Sequence, residues 1–528
     1  MTIPQSRTLF ALLQEEAERY PERIAVICRD RESTYTELAE RAARVAAGLR
    51  ARGIGDGSRV GILIDNRREW LEAAIGATAA GAVAVPFSTF SKAAELEFLF
   101  GDAEIDALIA VDVVAGQDFA AAIASLLHRP GRFPRLQLIA TLGDARPNGI
   151  AYEDLLATAP ILRDTASPDD DCFILYTSGS SARPKAVRLR HASLIENGFN
   201  IGERMRLSPD DRVLLAPPLF WSYGAANALP ATFTHAAALV LQPRFEPREW
   251  LGLVEQRRCT AAYTLPSMTG AVLRHREFRR ERVASLRTGL MIGSSEEVRI
   301  AAEELGAAEI CNIYGATETY GNCCVTPCDW PLARRMASQG PPLPGNVLRI
   351  VDAETGAPLT AGETGLVEVT GHVTPGYAGA SAEHNATAFT GDGYFRTGDL
   401  GFLDDAGDFH FAGRDSDVIK RAGINVSPAE VESLLLQHPD VAQAAVVGAP
   451  AGERGEAIVA FVVPRLGVAL DPEALRAHCR ALASSYKVPD WFEFCAALPV
   501  TETGKLFRRA LKERAASPPY DSQRLRRR

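Results

Sequence analysis

The sequence predicts an α/β protein. A large N-terminal domain of several subdomains, built on mixed and parallel sheets, precedes a small α+β C-terminal domain. Three observations point there. Apolar runs such as AVICR, RVGILI, AVAVPF, ALIAV and LQLIA alternate with helix-like segments, the pattern of buried parallel strands covered by helices. At 528 residues the chain exceeds what one core supports. After Gly413 its character changes, and strands and helices alternate within a unit of ~110 residues, enough for a separate small domain.

The elements follow in order. TELAERAARVAAGLRA, Thr36 to Ala51, reads as a helix capped by Thr36 with Glu40 close behind. Its apolar stripe of Leu38, Ala42, Val45 and Leu49 marks a core face. AAIGATAAGAVAVPF, Ala73 to Phe87, contains Pro86 and falls short of the ~20 apolar residues of a membrane helix. It reads as a buried helix running into a strand. DCFILYT reads as a strand and LRHASLIEN as the start of a helix, which puts the intervening loop at a strand-to-helix turn. In the last part, AIVAFVVP reads as a strand and the segment around LRAHCRAL as a helix. The expected boundaries are 1–413 for the N-terminal domain, 414–417 for a hinge and 418–528 for the C-terminal domain with its basic tail RLRRR, read as solvated.

Composition narrows the function classes. Hydrophobic content of 47% with 23% charged residues is that of a globular chain, and a net charge of −9 argues against nucleic-acid and membrane partners. MTIPQSRTLF lacks a secretory pattern, and nine cysteines without paired spacing fit a reducing, cytoplasmic setting. Cys323, Cys324 and Cys328 lack partners at metal-site spacing, so no metal role is expected of them.

The chemistry-bearing stretches begin with YTSGSSARPKAV, Tyr176 to Val187. Thr177, Ser178, Ser180 and Ser181 supply hydroxyls, Gly179 lets the backbone approach, and Lys185 adds a charge, a composition suited to phosphate oxygens. It does not fit G-x-x-x-x-G-K-[ST], which disfavours a P-loop nucleotidase. NIYGATETYG (Asn312 to Gly321) places an aromatic, a hydroxyl and a carboxylate together. YFRTGDLG (Tyr394 to Gly401) presents Asp399, GRDSDVIKRAGINVSPAEVE (Gly413 to Glu432) holds Arg414 and Lys420, and PVTETGKLFRR (Pro499 to Arg509) offers Lys505. Each alone fits a turn; all five in one order do not arise by chance.

In content and order these stretches resemble the adenylate-forming superfamily: acyl-CoA synthetases and aryl-CoA ligases, luciferase-like enzymes, and adenylation domains of nonribosomal peptide synthetases. The likeness runs from the first strands to Arg509. It implies a two-step reaction. A carboxylate attacks the α-phosphate of ATP, releasing pyrophosphate and leaving an acyl-adenylate; a thiol, usually that of coenzyme A, then displaces AMP. Because a carboxylate must approach a polyanion, catalysis would rest on positioning and charge neutralisation.

By the same resemblance, Thr177 to Ser181 and Lys185 would handle the β- and γ-phosphates, Thr317 the α-phosphate, and Glu318 a Mg²⁺ ion, a hard carboxylate for a hard cation. Tyr314 and Gly315 match the adenine segment, with Gly293, Ser294 and Ser295 along the purine edge. Asp399 matches the acceptor for the ribose hydroxyls, with Arg414 nearby. Lys505 matches the lysine that bridges attacking carboxylate and α-phosphate, a flexible point charge for two moving anions. Ser416 falls at the hinge, where relatives carry Asp or Lys. Lys420, Gly423 and Asn425 would line the thiol path in the second conformation, after the C-terminal domain has swung. Ala182 and Ala186 stand where glycine is usual, which bears on rate rather than reaction type.

PPLFWSYGAANALP, Pro217 to Pro230, matches the segment that opens the acyl pocket. It supplies Trp221, Ser222, Tyr223 and Gly224, with Tyr320 adding ring surface. Trp221 stands where amino-acid-activating relatives have Asp, so an α-amino acid is disfavoured. A compact aromatic pocket points to a small aromatic or alicyclic acid, with medium-chain fatty acids next. The expected partners are therefore the acid, ATP and coenzyme A, with no nucleic acid and no membrane span; a homodimer is allowed. The alternative is a free-standing enzyme that loads a carrier-protein phosphopantetheine. An idle nucleotide-binding homologue is disfavoured because both Lys505 and Glu318 are present.

Overall fold

A computed structural model describes residues 2–128, 131–143, 149–177, 184–421, 424–451, 455–483, 485–501 and 506–516, with backbone alone at 380, 416, 424 and 425. The chain divides into two compact units. One comprises Met1–Leu348 with Val369–Phe395, the other Arg349–Glu368 with Arg396–Arg528.

Two eight-stranded sheets among the described residues build the first unit. The central six strands of one sheet, Glu309–Tyr314, Thr288–Met291, Ala261–Thr264, Arg212–Leu215, Ala238–Leu241 and Ile24–Cys28, are all parallel. Antiparallel strands close both of its edges, Cys324–Val325 on one and Arg31–Thr34 on the other. The other sheet runs Tyr377–Ala378, Lys185–Arg190, Asp171–Thr177, Val83–Pro86, Arg59–Leu63, Ala107–Val111, Leu138–Leu142 and Ile150–Ala151. The apolar runs read as buried strands are these strands, and Ala107 to Val111 are all buried.

Between the strands lie helices Tyr35–Arg50 and Arg68–Ala79, which pack on each other. The second is buried at almost every position and runs through a turn into Val83–Pro86, as its apolar composition predicts. On the first helix the expected stripe of Leu38, Ala42, Val45 and Leu49 is fully buried. Its cap differs from the expectation. Thr34 rather than Thr36 accepts the Glu37 N–H at 3.1 Å, and the Glu37 carboxylate accepts the Thr34 N–H at 3.1 Å. Strand Arg31–Thr34 runs directly into the helix, so the first turn starts two residues earlier than the apolar period alone suggests.

In the second unit, strands Val441–Pro450 and Glu456–Pro464 pair antiparallel, and Trp491–Phe494 joins in parallel. The period of two sorts their residues onto two faces. Val446, Ile458, Ala460 and Val462 pack with Val431, Leu435, Leu475 and Cys479 from helices Pro428–Leu436 and Pro472–Leu482. Ala445, Val447, Val459 and Phe461 face Leu511 and Ala515 of helix Arg508–Ala515. Among the described residues no helix is long and apolar enough to cross a membrane.

Candidate active site

The phosphate-loop candidate sits differently from its expected strand-to-helix turn. Thr177 ends strand Asp171–Thr177 and lies opposite Lys185, the first residue of the antiparallel strand Lys185–Arg190. The loop therefore closes a hairpin, and helix His191–Arg204 begins only after the second strand. The reason is in KAVRLR, where Ala186, Val187 and Leu189 are buried while Arg190 is exposed, so this stretch pairs as a strand. The helix N-terminus expected directly after this loop therefore stands one strand further on, at His191. Ser178, Gly179, Ser180, Ser181 and Ala182 lie outside the described residues.

Around Lys185 the fold assembles a cluster whose central member carries no role in the sequence reading. Strand Tyr377–Ala378 pairs with Lys185–Arg190, setting Tyr377 opposite Val187 and Ala378 opposite Ala186. The Lys185 ammonium stands 5.1 Å from the centre of the Tyr377 ring, within cation–π range. The Tyr377 hydroxyl donates to Glu318 Oε1 at 2.9 Å. Burial first, then the neighbouring Glu318 charge, push the Tyr377 phenol well above its ordinary pKa, so it stays protonated and keeps donating. Its backbone is pinned by Asn385, whose Oδ1 accepts the Tyr377 N–H at 2.7 Å and whose Nδ2 donates to the Tyr377 carbonyl at 3.1 Å. The Glu318 carbonyl accepts the Thr374 N–H at 2.7 Å, which fixes the backbone beneath the carboxylate. In sequence the only hint of Tyr377 is an aromatic in PGYAGAS; nothing local ties it to Glu318.

Glu318 and Thr317 lie in a short 3₁₀ turn, Thr317–Thr319, just after strand Glu309–Tyr314. Thr317 Oγ1 donates to Ser222 Oγ at 3.0 Å, so the α-phosphate candidate touches the acid-pocket segment directly. That segment is distorted for a reason. Tyr223–Ala228 forms a π-helical turn, a feature frequent at functional sites. Gly224 is forced by space, since a Cβ there would come within 2.5 Å of the Pro218 carbonyl. Asn66 anchors the approach: its Oδ1 accepts the Leu219 N–H at 2.7 Å and its Nδ2 donates to the carbonyls of Pro217 at 3.0 Å and Gln242 at 3.1 Å. Gly315 is equally constrained, with a Cβ there meeting Asn322 Cα at 2.4 Å.

Of the expected pocket aromatics, Trp221 alone presents surface. It is half-buried and meets Phe90 and Phe220 edge to face, at 6.1 and 5.8 Å between ring centres. Phe90 is a further member that its own neighbourhood in the sequence does not mark. Tyr223 and Tyr320 correct the expectation of added ring surface. Tyr223 is buried, stacks edge-on against Tyr263 and donates to the Leu290 carbonyl at 2.8 Å. Tyr320 is fully buried in the left-handed region, with φ +54°, and its hydroxyl accepts the Arg190 N–H at 2.9 Å. Each phenol is held by a backbone group, so its ring belongs to the core.

Tyr314 ends its strand, buried. Ser294 caps the short helix Ser295–Arg299 through the Glu297 N–H, next to Gly293, and Ser295 donates to the Met336 carbonyl at 2.6 Å. Both hydroxyls therefore have structural partners. In the second unit, Asp399 and Arg414 are cross-strand neighbours and form an ion pair at 3.2 Å. Ser416 falls in the turn Asp415–Asp417, where Asp417 accepts from Lys512 at 2.8 Å. The Lys420 backbone N–H donates to Glu456 at 2.7 Å. Gly423 and Lys505 lie outside the described residues, as does the Asn425 side chain.

Glu318 fits a magnesium ion on chemical grounds. Tyr377 occupies Oε1, and Oε2 has no hydrogen-bond partner among the described residues. Also among those residues, no group of three or more His, Cys, Asp or Glu offers a cage. Glu318 would hold the ion together with phosphate oxygens, the usual arrangement for Mg²⁺.

A family model described as AMP-binding enzyme matches residues 13–378, and its C-terminal domain matches 430–505. The chain belongs to the AMP-binding enzyme family. Within it, this AMP-binding enzyme is an AMP-forming ligase of the acyl-CoA synthetase type. It is 34% identical to a feruloyl-CoA synthase of Amycolatopsis, over 91% of this chain and 94% of that one. It is also 30% identical to the sulfoacetate–CoA ligase of Cupriavidus necator, over 96% and 98%. Among solved structures, ATP-bound MatB from Rhodopseudomonas palustris superposes with a TM-score of 0.86 at 29% identity, covering 97% of this AMP-binding enzyme and 99% of MatB. The α/β architecture with a large N-terminal and a C-terminal domain is that of the adenylate-forming ligases.

Proposed function

We propose that the protein is an ATP-dependent carboxylic acid–CoA ligase acting on a small aromatic or alicyclic acid, with medium-chain fatty acids as the next class. One observation carries this reading: Lys185, Tyr377 and Glu318 form one cluster, and Thr317 in the same turn as Glu318 bonds the acid-pocket segment through Ser222. Phosphate chemistry and acid recognition thereby share one short turn. Feruloyl-CoA synthase and sulfoacetate–CoA ligase name an aromatic and a small aliphatic acid; the half-buried Trp221 with Phe90 and Phe220 favours the aromatic.

In this reading Lys185 and the hydroxyls of 177–181 hold the β- and γ-phosphates, and Thr317 holds the α-phosphate. A bound Mg²⁺ would neutralise phosphate charge. Tyr377 orients the Glu318 carboxylate while its ring face receives the Lys185 ammonium. Tyr314, Gly315 and the 293–295 segment take the adenine, Asp399 and Arg414 the ribose. Lys505 draws the substrate carboxylate to the α-phosphorus; the new C–O–P bond forms as the bond to pyrophosphate breaks. The 418–528 domain then turns about 414–417, Lys420, Gly423 and Asn425 line the thiol path, and the CoA sulfur displaces AMP from the acyl carbon.

A panel of acids tests the reading, with pyrophosphate release and CoA consumption followed together. Aromatic acids should rank first. CoA left unconsumed while a carrier protein is acylated would transfer the reading to carrier loading. In Lys505→Ala, adenylate formation should fall at least a hundredfold while thioester formation from supplied acyl-AMP stays within about threefold; equal loss in both refutes the role of Lys505.

A further inference from the structure

The first unit contains a second basic site, apart from the Lys185 cluster. Strand Ile24–Cys28 turns through Arg29 and Asp30 into the edge strand Arg31–Thr34. Beside this hairpin lies the N-terminus of the twelve-residue helix Arg68–Ala79, whose N-cap residue Arg67 provides no side-chain cap. Between them is a cavity of about 210 Å³ lined by Arg29, Arg31, Arg67, Arg68, Glu69 and Cys28, among others. This is smaller than the roughly 300–1,000 Å³ of sites for drug-sized ligands. It lies at the carboxyl end of a parallel strand, where open α/β sheets bind ligands.

The charges around the cavity do not balance. Arg67 pairs with Asp65 at 2.5 Å, and the buried Arg68 pairs with the fully buried Glu72 at 2.6 Å. Those carboxylates account for the two inner guanidiniums. The Arg29 and Arg31 side chains make no hydrogen bond or ion pair among the described residues, and the one carboxylate lining the cavity is Glu69, which already contacts Arg68 at 3.4 Å. Cys28 does not supply the missing negative charge. Burial raises its thiol above the ordinary value despite the opposing pull of Arg29 and Arg67, and the Arg68 backbone N–H points to its sulfur. Guanidiniums lining a small volume beside a helix N-terminus, two of them the exposed Arg29 and Arg31, are suited to a tetrahedral oxyanion.

We propose that this cavity binds a phosphate group, held by Arg29 and Arg31 from the hairpin and by the N-terminus of helix Arg68–Ala79. The volume favours a free phosphate ion over the phosphate of a nucleotide. The competing account, that Arg31 merely keeps an exposed edge strand from pairing with another chain, requires no anion.

Cys28 is the reporter. The full-length protein is alkylated with iodoacetamide while inorganic phosphate replaces chloride at constant ionic strength, and modification is read peptide by peptide. Phosphate should slow Cys28 labelling at least fivefold and leave the half-exposed Cys495 unchanged. The Arg29→Ser/Arg31→Ser double variant should need about tenfold more phosphate for the same protection, with its thermal midpoint in phosphate-free buffer and its ligase activity unaltered. A parallel arm uses adenosine 3′,5′-bisphosphate; tighter protection by it assigns the site to a nucleotide's phosphate, tighter protection by phosphate to the free ion. Absence of protection by both anions, or equal protection in the double variant, overturns the proposal. If Cys28 resists alkylation in every condition, a tungstate-soaked crystal decides, and no anomalous density within hydrogen-bonding reach of Arg29 and Arg31 overturns it.

Discussion

Tyr377→Phe removes one oxygen and tests the cluster at its centre. The variant keeps the buried ring and its face toward Lys185, a contact of about 0.5–2 kcal/mol. It loses the O–H that holds Glu318 Oε1 at 2.9 Å. A hydrogen bond to a charged group contributes about 1.5–3 kcal/mol, and each 1.4 kcal/mol is about tenfold. If that bond holds the carboxylate for magnesium and the triphosphate, kcat/KM for MgATP should fall by about 10- to 100-fold. Part of the loss should return as Mg²⁺ is raised, because a loosened ligand weakens ion binding. The assay is pyrophosphate–ATP exchange with saturating acid across a Mg²⁺ series, together with Mn²⁺ titration of the protein–ATP complex by water-proton relaxation. Thermal melting controls for folding. Exchange and Mn²⁺ affinity both within twofold of wild type would refute the idea that Tyr377 positions Glu318. Tyr377→Ala should do worse than Tyr377→Phe, since the face toward Lys185 goes as well.

Trp221→Ala should shift acid preference toward bulkier acids; an unchanged ranking across the panel would make Trp221 a packing partner of Phe90 and Phe220 only. Asn66→Ala should cost about 2–3 kcal/mol, because buried N–H and C=O groups of the 215–219 segment lose their partner; an unmoved urea midpoint for the first unit contradicts this. Buried Glu16 is raised by its burial to about 7, with Oε2 unpartnered, whereas in the unfolded chain it titrates near 4.5. The folded state therefore retains a proton the unfolded state has lost, and up to about 3 kcal/mol of stability disappears as pH rises from 4.5 through 7. Buried His191, lowered by burial to about 4, works in the opposite direction: it contributes stability above 6.5 that is lost as pH falls toward 4. The two slopes offset each other in the wild type, so Glu16→Gln should lose stability on acidification that the wild type does not. Parallel profiles of denaturation midpoint against pH for the two proteins would disprove the Glu16 account.

Much of the fold was legible because its signals are local. Runs such as ALIAV are buried on both faces and too short for helices, and they became central strands. The stripe on Tyr35–Arg50 was readable from its period, while its cap was not, because Thr34 belongs to a strand whose pairing the helix pattern does not contain. The loop after Thr177 was misplaced for a similar reason. KAVRLR has the alternation of a strand, but six residues beside a helix start do not announce a hairpin.

At the site, residue types and their order along the chain were set by the sequence alone: hydroxyls and a lysine at 177–185, threonine and glutamate at 317–318, an aspartate at 399. The folded chain decided which of them meet. Tyr377 reaches Glu318 across 59 residues because strand Tyr377–Ala378 pairs beside Lys185–Arg190, and such pairing depends on which sheet edge is left open. Burial was likewise decided in three dimensions. Trp221, Tyr223 and Tyr320 are all aromatic residues near the same turn, yet two of the three gave their hydroxyls to backbone groups and joined the core. A phenol is buried at little cost only where a partner satisfies its oxygen, and where those partners lie is a property of the packed chain.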